Sequence, residues 1–392
     1  MPFKISPKTL EATRDTAKAN AQEGRGMDLL GRLRRGDSLS DEELATIFLS
    51  PDIKTSELID LAKEMREPHA LEIETFCPLY ISNECDAECL MCGMRNFNNS
   101  LIRQTADEET IKDQLKILGH RGIRGVALLT GEYRHGKMRK EMLNRTSIAT
   151  RDALTSQFEH ILINVGSIEE EEYEPLLHGV PRLDDGSVSP HITMCTFQES
   201  YHPDVYKKFM GTTTENPRSN FTRRLQNFDR AAAAGMRSAN PGVLVGLNPD
   251  LTYEMLALLA HCHHLQNLGM TTYVSLPRLR KASGAPHSAG VGDDEFFRLI
   301  AVLSAGIPKA KLVISTRESP KIQQKLLPII DVLTPGSPGV APYTLENARF
   351  EVEASQFEVA DHRPFEEILG ECLRAGAKID GYEPTTSTDL NG

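Results

Sequence analysis

The chain has 392 residues, 40% of them hydrophobic, which is enough for one large domain or two ordinary ones. Its net charge of −11 offers no electrostatic basis for binding nucleic acid. No apolar run approaches the length of a membrane-spanning helix, and residues 1–6 lack the apolar core of a signal peptide. Seven cysteines, an odd number, argue against a disulfide framework, and free thiols suit a reducing compartment, so we expect a cytoplasmic protein. Because no apolar run is long enough to span a bilayer, we do not expect the protein to bind membranes.

Residues 1–70 are predicted to form a polar helical extension. The stretch from Ser40 to Glu43 is a capping box, and apolar residues follow it at helical spacing. A further helix is predicted to begin at Ser56. We assign no chemistry to this extension.

Residues 71–340 alternate between predicted strands and amphipathic helices. Eight strands are predicted, at 72–82, 125–133, 160–167, 188–197, 243–248, 272–278, 311–318 and 329–335. Thr105 is predicted to cap one helix, and 217–234 and 252–268 are predicted to form two more. This α/β pattern suits a (β/α)8 TIM-type barrel, which needs about 250 residues. An open doubly wound sheet is the alternative, because periodicity cannot decide whether a sheet closes.

Residues 341–392 are predicted to form an irregular and then weakly helical C-terminal segment. Its last residues, from Thr385, are small and polar and are predicted to be disordered. The expected organisation is therefore a helical extension, a barrel and this C-terminal segment.

The most informative motif follows the first predicted strand. Cys85, Cys89 and Cys92 form a C-x3-C-x2-C run, which places three thiols on one tight loop. Thiolates are the usual ligands of iron–sulfur clusters, and three of them leave one iron of a four-iron cluster open. A structural zinc site prefers four protein ligands, often as two cysteine pairs. No second pair exists, since the other cysteines are scattered singly: Cys77, Cys195, Cys262 and Cys372.

Polar residues also follow the next predicted strands, where the active sites of barrels gather. Gly131 and Glu132 end the second strand; the glycine permits close backbone approach, and the carboxylate can pair with an ammonium group. Asn164 ends the third strand, where a nucleoside contact and a plain turn are equally compatible with the sequence. Glu199 closely follows the fourth strand, and Arg224 lies on the following helix with a guanidinium suited to a carboxylate.

Arg317 ends the seventh predicted strand. A guanidinium is costly to bury there without an anion, so Arg317 is a candidate clamp for a substrate carboxylate. An internal ion pair with Glu318 is the alternative. Thr334 and Ser337, near the end of the eighth strand, offer hydroxyl groups.

These motifs resemble those of the radical S-adenosylmethionine (SAM) enzymes, and in particular their aromatic amino-acid lyase branch. The Thr-Gly-Glu turn at 130–132 resembles the family's Gly-Gly-Glu motif, and Gln-Glu-Ser-Tyr at 198–201 is similar to the Gln-Glu-Thr-Tyr of tyrosine lyases. Segments 77–95, 315–320 and 334–340 look closest to the tryptophan lyases of thiopeptide antibiotic biosynthesis.

The resemblance implies a 4Fe–4S cluster on the three cysteines and an electron donor such as flavodoxin or ferredoxin. Met91 stands where many members carry an aromatic residue next to SAM. The SAM contacts implied are Met91, Gly131, Glu132, Asn164, Glu199 and Arg224. The implied reaction converts L-tryptophan to 3-methyl-2-indolic acid by hydrogen abstraction, side-chain fragmentation and carboxyl migration. Arg317 would hold the substrate carboxylate, assisted by Tyr80 and by Thr334 or Ser337.

Two alternatives remain. One is a tyrosine lyase that makes dehydroglycine and p-cresol. The hydrogenase-type member of that group carries a second cluster on a C-terminal cysteine motif, and this chain has only Cys372 there. The other alternative is a non-catalytic module that binds zinc or an iron–sulfur cluster and does not need SAM.

Overall fold

The computed structural model describes residues 1–66, 71–282, 285, 290–346 and 356–385. Its helices are α1 (Pro7–Gln22), α2 (Gly26–Arg34), α3 (Asp41–Leu49), α4 (Thr55–Arg66), α5 (Glu108–His120), α6 (Lys137–Thr155), α7 (Tyr173–Leu176), α8 (Pro203–Met210), α9 (Phe221–Leu225), α10 (Asn227–Ala233), α11 (Leu251–Asn267), α12 (Asp293–Gly306), α13 (Pro320–Leu326) and α14 (Phe365–Arg374). Its strands are β1 (Glu72–Glu74), β2 (Cys77–Tyr80), β3 (Gly125–Leu129), β4 (His160–Asn164), β5 (Ile192–Glu199), β6 (Ser238–Val243), β7 (Thr271–Ser275), β8 (Ala310–Ser315), β9 (Val332–Thr334) and β10 (Lys378–Asp380).

The strands form one parallel sheet in the order β10-β1-β9-β8-β7-β6-β5-β4-β3-β2. β1 and β2 are consecutive pieces of one segment, separated only by Thr75 and Phe76, and they lie near opposite ends of this order. The sheet therefore curls until its two ends approach each other around a common interior. The predicted TIM-type α/β architecture is confirmed, and the carboxyl ends of its strands face one side, as in other barrels.

The N-terminal helices pack on the outside of the sheet, against α11 and α12. The predicted capping box is present at α3, where the Ser40 hydroxyl accepts from the Glu43 N–H and the Glu43 carboxylate accepts from the Ser40 N–H. Leu44 and Ile47 of the same helix are fully buried in the largest apolar cluster. None of the helices in the described ranges is long and apolar enough to cross a membrane.

Two predicted element boundaries are wrong. Asp107, not Thr105, caps α5: its carboxylate accepts the Thr110 N–H at 2.8 Å, while the Thr105 hydroxyl bonds Ser82. The predicted strand 243–248 begins too late, because β6 runs from Ser238 to Val243 and includes a Pro-Gly pair that normally weakens a strand. Gly242 is needed there, since a Cβ would lie 2.4 Å from the Phe197 ring.

Two further segments differ from their predictions in detail. The single helix predicted at 217–234 is divided into α9 and α10 at Gln226. The C-terminal segment contributes α14 and also β10, which pairs with β1 at the sheet edge. The tail predicted to be disordered lies, from residue 386 onward, outside the described residues.

The lower interior of the barrel, toward the amino ends of the strands, contains a buried polar network. The Glu74 carboxylate bonds the His160 ring, the Tyr273 hydroxyl and the Lys311 ammonium group. A layer of mostly apolar side chains lies above it, formed by Phe76, Ala127, Leu162, Cys195, Tyr273, Val313 and Val332. This arrangement leaves the upper interior, at the carboxyl ends of the strands, as the place for a site.

The Glu74 network should stabilise the fold in a pH-dependent way. Burial alone would raise the pKa of Glu74, but His160 and Lys311 outweigh it and lower the pKa to about 2. Because an unfolded glutamate has a pKa of about 4.3, the stabilisation is complete above about pH 4.3 and is lost as the pH falls toward 2. Glu74→Gln should therefore lower the free energy of unfolding by about 3 kcal/mol at pH 7.

Urea unfolding at pH 7, 5 and 3 measures this effect. The difference in the free energy of unfolding between the parent and Glu74→Gln should be smaller at pH 3 than at pH 7. Glu72→Gln, on the exposed end of the same strand, is the matched control and should behave like the parent. A difference that stays constant across this range would show that the Glu74 charge does not contribute.

Candidate functional site

A large cavity opens at the carboxyl ends of the strands. Its empty volume is about 1580 Å³ including the space open to solvent. The residues predicted from the sequence that line it are Tyr80, Cys85, Cys89, Met91, Cys92, Gly131, Glu132, Asn164, Glu199, Arg224, Arg317 and Thr334. Ser337 is not among the lining residues; its hydroxyl accepts the Gly339 N–H instead.

The cysteine loop follows β2 and rests on the end of β3. The Cys85 sulfur accepts the N–H groups of Glu132, at 3.3 Å, and Ala87, at 3.4 Å. Gly131 makes this contact possible, since a Cβ there would lie 2.0 Å from the Glu84 carbonyl oxygen. The glycine of the Thr-Gly-Glu turn is thus required by the close approach of two backbones.

The three thiols of the loop are free and face the same cavity. Burial raises the pKa of Cys85 to about 11 and that of Cys89 to about 12. A metal must therefore displace protons from them when it binds. Backbone N–H groups directed at a cysteine sulfur are typical of iron–sulfur sites. Three free thiols that line one cavity, with two such donors directed at Cys85, fit the ligand set of an iron–sulfur cluster.

Next to the cysteine loop, Glu132 lies at the centre of a charged cluster. Its carboxylate accepts from Arg224 at 2.8 Å and from the Ser167 N–H at 3.0 Å, and Arg218 and Arg223 lie 3.5 and 3.9 Å away. Burial alone would raise the pKa of Glu132, but Arg224 and Arg218 outweigh it and hold the pKa below its usual value. Glu132 is thus ionised and anchors the surrounding guanidinium groups.

Arg218 is a lining residue that the sequence analysis missed. Its guanidinium donates to the Glu199 carboxylate at 2.9 Å, and the side chain is 9% exposed. Its buried Nε makes no hydrogen bond, although Glu132 Oε2 lies 3.5 Å away. No motif pointed to this residue, because it lies in an irregular loop between α8 and α9. Arg218 therefore lies in the cavity wall between the carboxylates of Glu132 and Glu199.

Glu199 adopts an unusual backbone conformation, with a φ of 68°. This left-handed region is uncommon for residues other than glycine and is often held in place at functional sites by the surrounding structure. Here the following residues are fixed by Glu254, a buried carboxylate that accepts from the Ser200 hydroxyl at 2.6 Å and the Tyr201 N–H at 2.7 Å. Burial raises the pKa of Glu254.

Arg317 lies at another part of the cavity wall, just after β8. One of its N–H groups lies 3.4 Å from the Arg278 carbonyl oxygen, and the Phe357 ring covers its face. The internal ion pair with Glu318 does not form, because Glu318 binds Arg278 and Arg280. Burial lowers the pKa of Arg317 to about 10, which still leaves the guanidinium charged at neutral pH.

The hydroxyl groups predicted to assist Arg317 are placed differently from one another. The Tyr80 hydroxyl reaches the cavity and donates to the Gln356 side chain at 2.7 Å. Thr334 also lines the cavity, and its hydroxyl lies 3.4 Å from the Ile314 carbonyl oxygen. Tyr80 and Thr334 are therefore the two hydroxyl-bearing predicted residues with access to a ligand.

Comparison with known proteins gives a consistent picture. The model of the Biotin and Thiamin Synthesis associated domain matches residues 275–378. The chain is 28% identical over 264 residues to the 2-iminoacetate synthase of Escherichia coli and 27% identical over 261 residues to that of Salmonella typhimurium. Each match covers 66% of this chain and 64% of the relative, so the chain spans less than two thirds of these relatives' length.

Solved structures show the same fold. The FeFe-hydrogenase maturase HydG from Carboxydothermus hydrogenoformans has a TM-score of 0.81 and 24% identity, covering 98% of this chain and 86% of that one. Methylornithine synthase (PylB) has a TM-score of 0.68 and 19% identity, covering 92% and 98%. The barrel fold is thereby confirmed, and three free cysteines lie on the loop at the carboxyl end of its first long strand segment.

Proposed function

We propose that the chain is a radical SAM lyase that acts on a free aromatic L-amino acid, with L-tyrosine as the first candidate substrate. The reaction would break the bond between Cα and Cβ and release dehydroglycine and p-cresol. One observation carries the proposal: a single cavity is lined by the three free cysteines and by Arg317, which pairs with no carboxylate among the described residues. Dehydroglycine is 2-iminoacetate, so the similarity to 2-iminoacetate synthases favours the candidate reaction that releases this product, which is the one that starts from tyrosine.

The residues of the cavity divide into two groups. Cys85, Cys89 and Cys92 would hold the cluster. SAM would contact Met91, Gly131, Glu132, Asn164, Glu199, Arg218 and Arg224, all of which line the cavity. When bound, the cluster and SAM supply a 5′-deoxyadenosyl radical, and a flavodoxin or ferredoxin would provide the electron.

The second group would bind the substrate. Arg317 presents a charged guanidinium that can hold the amino acid's carboxylate, and Tyr80 and Thr334 offer hydroxyls to its polar end. Holding this end fixes which hydrogen of the substrate faces the radical, and such positioning is most of what the protein contributes. The mostly apolar layer below the cavity closes its lower end, so substrate and product would pass through the upper mouth.

A tryptophan lyase that makes 3-methyl-2-indolic acid for thiopeptide antibiotic biosynthesis is the second candidate. The segments that resemble such lyases, 315–320 and 334–340, contribute Arg317 and Thr334 to the cavity. Both candidates use the same cluster, SAM site and carboxylate clamp. They differ in the ring that the remaining wall must accommodate.

The cluster assignment predicts which cysteines bind iron. Anaerobic reconstitution should give about four irons per chain. Cys85→Ala, Cys89→Ala and Cys92→Ala should each lose the cluster, as measured by iron content and visible absorption. Cys195→Ala is the matched control, because Cys195 lines the same cavity but bonds Asn240 on the neighbouring strand. A full cluster in the Cys89→Ala protein would refute the assignment.

The SAM site predicts that Arg218→Gln and Glu199→Gln weaken SAM binding by about ten- to a hundredfold, since each removes a charged hydrogen-bonding group. Glu132→Gln should act in the same direction. Iron content should not change. Equilibrium binding of SAM to the reconstituted protein measures the effect. Glu169→Gln, which binds Arg223 outside the cavity lining, should bind SAM normally. Normal binding by Arg218→Gln and Glu199→Gln would place SAM elsewhere.

The substrate proposal predicts the products. Reduced enzyme with SAM and L-tyrosine should release 5′-deoxyadenosine, methionine, dehydroglycine and p-cresol. Arg317→Lys should lower the product yield about ten- to a hundredfold, because lysine lacks the planar fork that holds a carboxylate. Arg121→Lys, which pairs with Glu366 away from the cavity, is the control. Chromatography quantifies all products. Indolic acid from L-tryptophan without p-cresol from tyrosine would favour the second candidate, and neither product would refute both.

A further inference from the structure

A short strap, defined here as residues 356–361, connects three loops around the cavity. Gln356, Phe357 and Val359 of the strap line the cavity. Backbone hydrogen bonds attach it to Gly93 of the cysteine loop at 2.8 Å, to Lys281 after β7 at 2.9 Å and to Thr316 after β8 at 2.9 Å. The strap is therefore a wall of the site that comes from far along the chain.

The end of the strap is fixed next to Arg317. Asp361 is buried, and its carboxylate accepts from Arg363 at 2.8 Å and from Gln323 at 3.0 Å. Its N–H also donates to the carbonyl oxygen of Thr316, the residue that precedes Arg317. The strap and the proposed carboxylate clamp are thus held together as one unit.

Phe357 places its ring on the face of the Arg317 guanidinium, with 3.2 Å between the guanidinium carbon and the ring centroid. A cation over an aromatic face is attracted by the ring's quadrupole. The N–H donors of a guanidinium lie in its plane and point outward from its edge. Stacking on the face therefore fixes the plane of Arg317 while leaving its edge available to a carboxylate.

Gln356 makes a second connection to the predicted substrate residues. Its side-chain oxygen accepts from the Tyr80 hydroxyl at 2.7 Å, and its backbone carbonyl accepts the Gly93 N–H at 2.8 Å. Tyr80 is otherwise buried, with 3% of its surface exposed. Gln356 therefore sets the direction of the tyrosine hydroxyl and joins it to the loop that carries the cysteines.

We propose that Phe357 and Gln356 are substrate-positioning residues of this enzyme. Phe357 orients Arg317 so that its edge meets the carboxylate of a free amino acid, and Gln356 orients the Tyr80 hydroxyl beside it. The inference rests on the proposed function, because it needs an amino-acid carboxylate as the ligand of Arg317. The inference also implies that the site should prefer ligands that carry this carboxylate.

A double-mutant cycle tests the role of Phe357. Binding of L-tyrosine and of L-tryptophan is measured by calorimetry on reconstituted, SAM-loaded protein without reductant, so that no turnover occurs. Phe357→Leu should weaken binding of the preferred amino acid about two- to thirtyfold, the range of a cation–π contact. In an Arg317→Lys background the same substitution should have less than about a twofold effect, because the oriented fork is already lost.

Turnover provides a second measurement. Phe357→Leu and Gln356→Leu should each raise the number of 5′-deoxyadenosine molecules released per aromatic product. The reason is that the radical abstracts the correct hydrogen less often from a loosely held substrate. Phe357→Tyr keeps the ring face and should restore both binding and coupling. Glu358→Gln is the matched control, because this strap residue is largely exposed and does not line the cavity.

The outcomes separate this inference from the proposed function. If the parent binds neither amino acid, the proposed function fails and the inference fails with it. If the parent binds one of them but Phe357→Leu binds it equally well, only the inference is overturned. If Phe357→Leu reduces amino-acid affinity equally in the parent and in the Arg317→Lys background, the inference is also overturned, because Phe357 would then act without Arg317. Iron content and circular dichroism show that each variant is folded.

Discussion

The site depends on the close contact between the cysteine loop and the end of β3. Gly131 allows the two backbones to touch, and the Glu132 N–H and carbonyl oxygen then bond Cys85 and Asp86. This contact places the thiols next to the Glu132 carboxylate, which in turn holds Arg224. The positions of the cysteine loop and of the charged wall are therefore set by one backbone approach, and any side chain at position 131 would separate them.

Charge balance explains how several guanidinium groups can be buried around this contact. Glu132 and Glu199 lie among Arg218, Arg223 and Arg224, with Glu169 binding Arg223 from outside the cavity. Most donors in this group are satisfied, which reduces the cost of burial. Arg317, elsewhere on the wall, has no carboxylate partner among the described residues. This position on the cavity wall thus remains suited to an anion, as the proposed binding of an amino-acid carboxylate requires.

Much of this site could be predicted because parallel strands bring their carboxyl ends to one place. The cysteines and Glu199 follow predicted strands, and Glu132 and Arg317 lie at the ends of predicted strands, so their meeting required only the fold class. Arg218 and Phe357 could not be found in this way. They lie in irregular segments whose paths are determined by tertiary contacts, such as the bond between Asp361 and Arg363. The start of β6 was missed for a related reason, since packing on Phe197 overrides the usual effect of a Pro-Gly pair within a strand.

Under the proposed function, the choice between tyrosine and tryptophan would be made by the part of the cavity that meets the aromatic ring. Both amino acids have the same carboxylate and amino group, so Arg317 and its supporting strap cannot distinguish them. A hydrophobic wall discriminates only weakly by size, whereas a buried polar group that must be hydrogen-bonded rejects a ring that cannot reach it. Asn240 and Ser275 are polar residues on the cavity wall, but each is already satisfied within the protein, since their side chains bond each other at 3.2 Å and Asn240 also donates to the Tyr273 carbonyl oxygen. Since both amino acids present the same polar end to Arg317, any discrimination between them should depend on the wall around the ring more than on the proposed clamp.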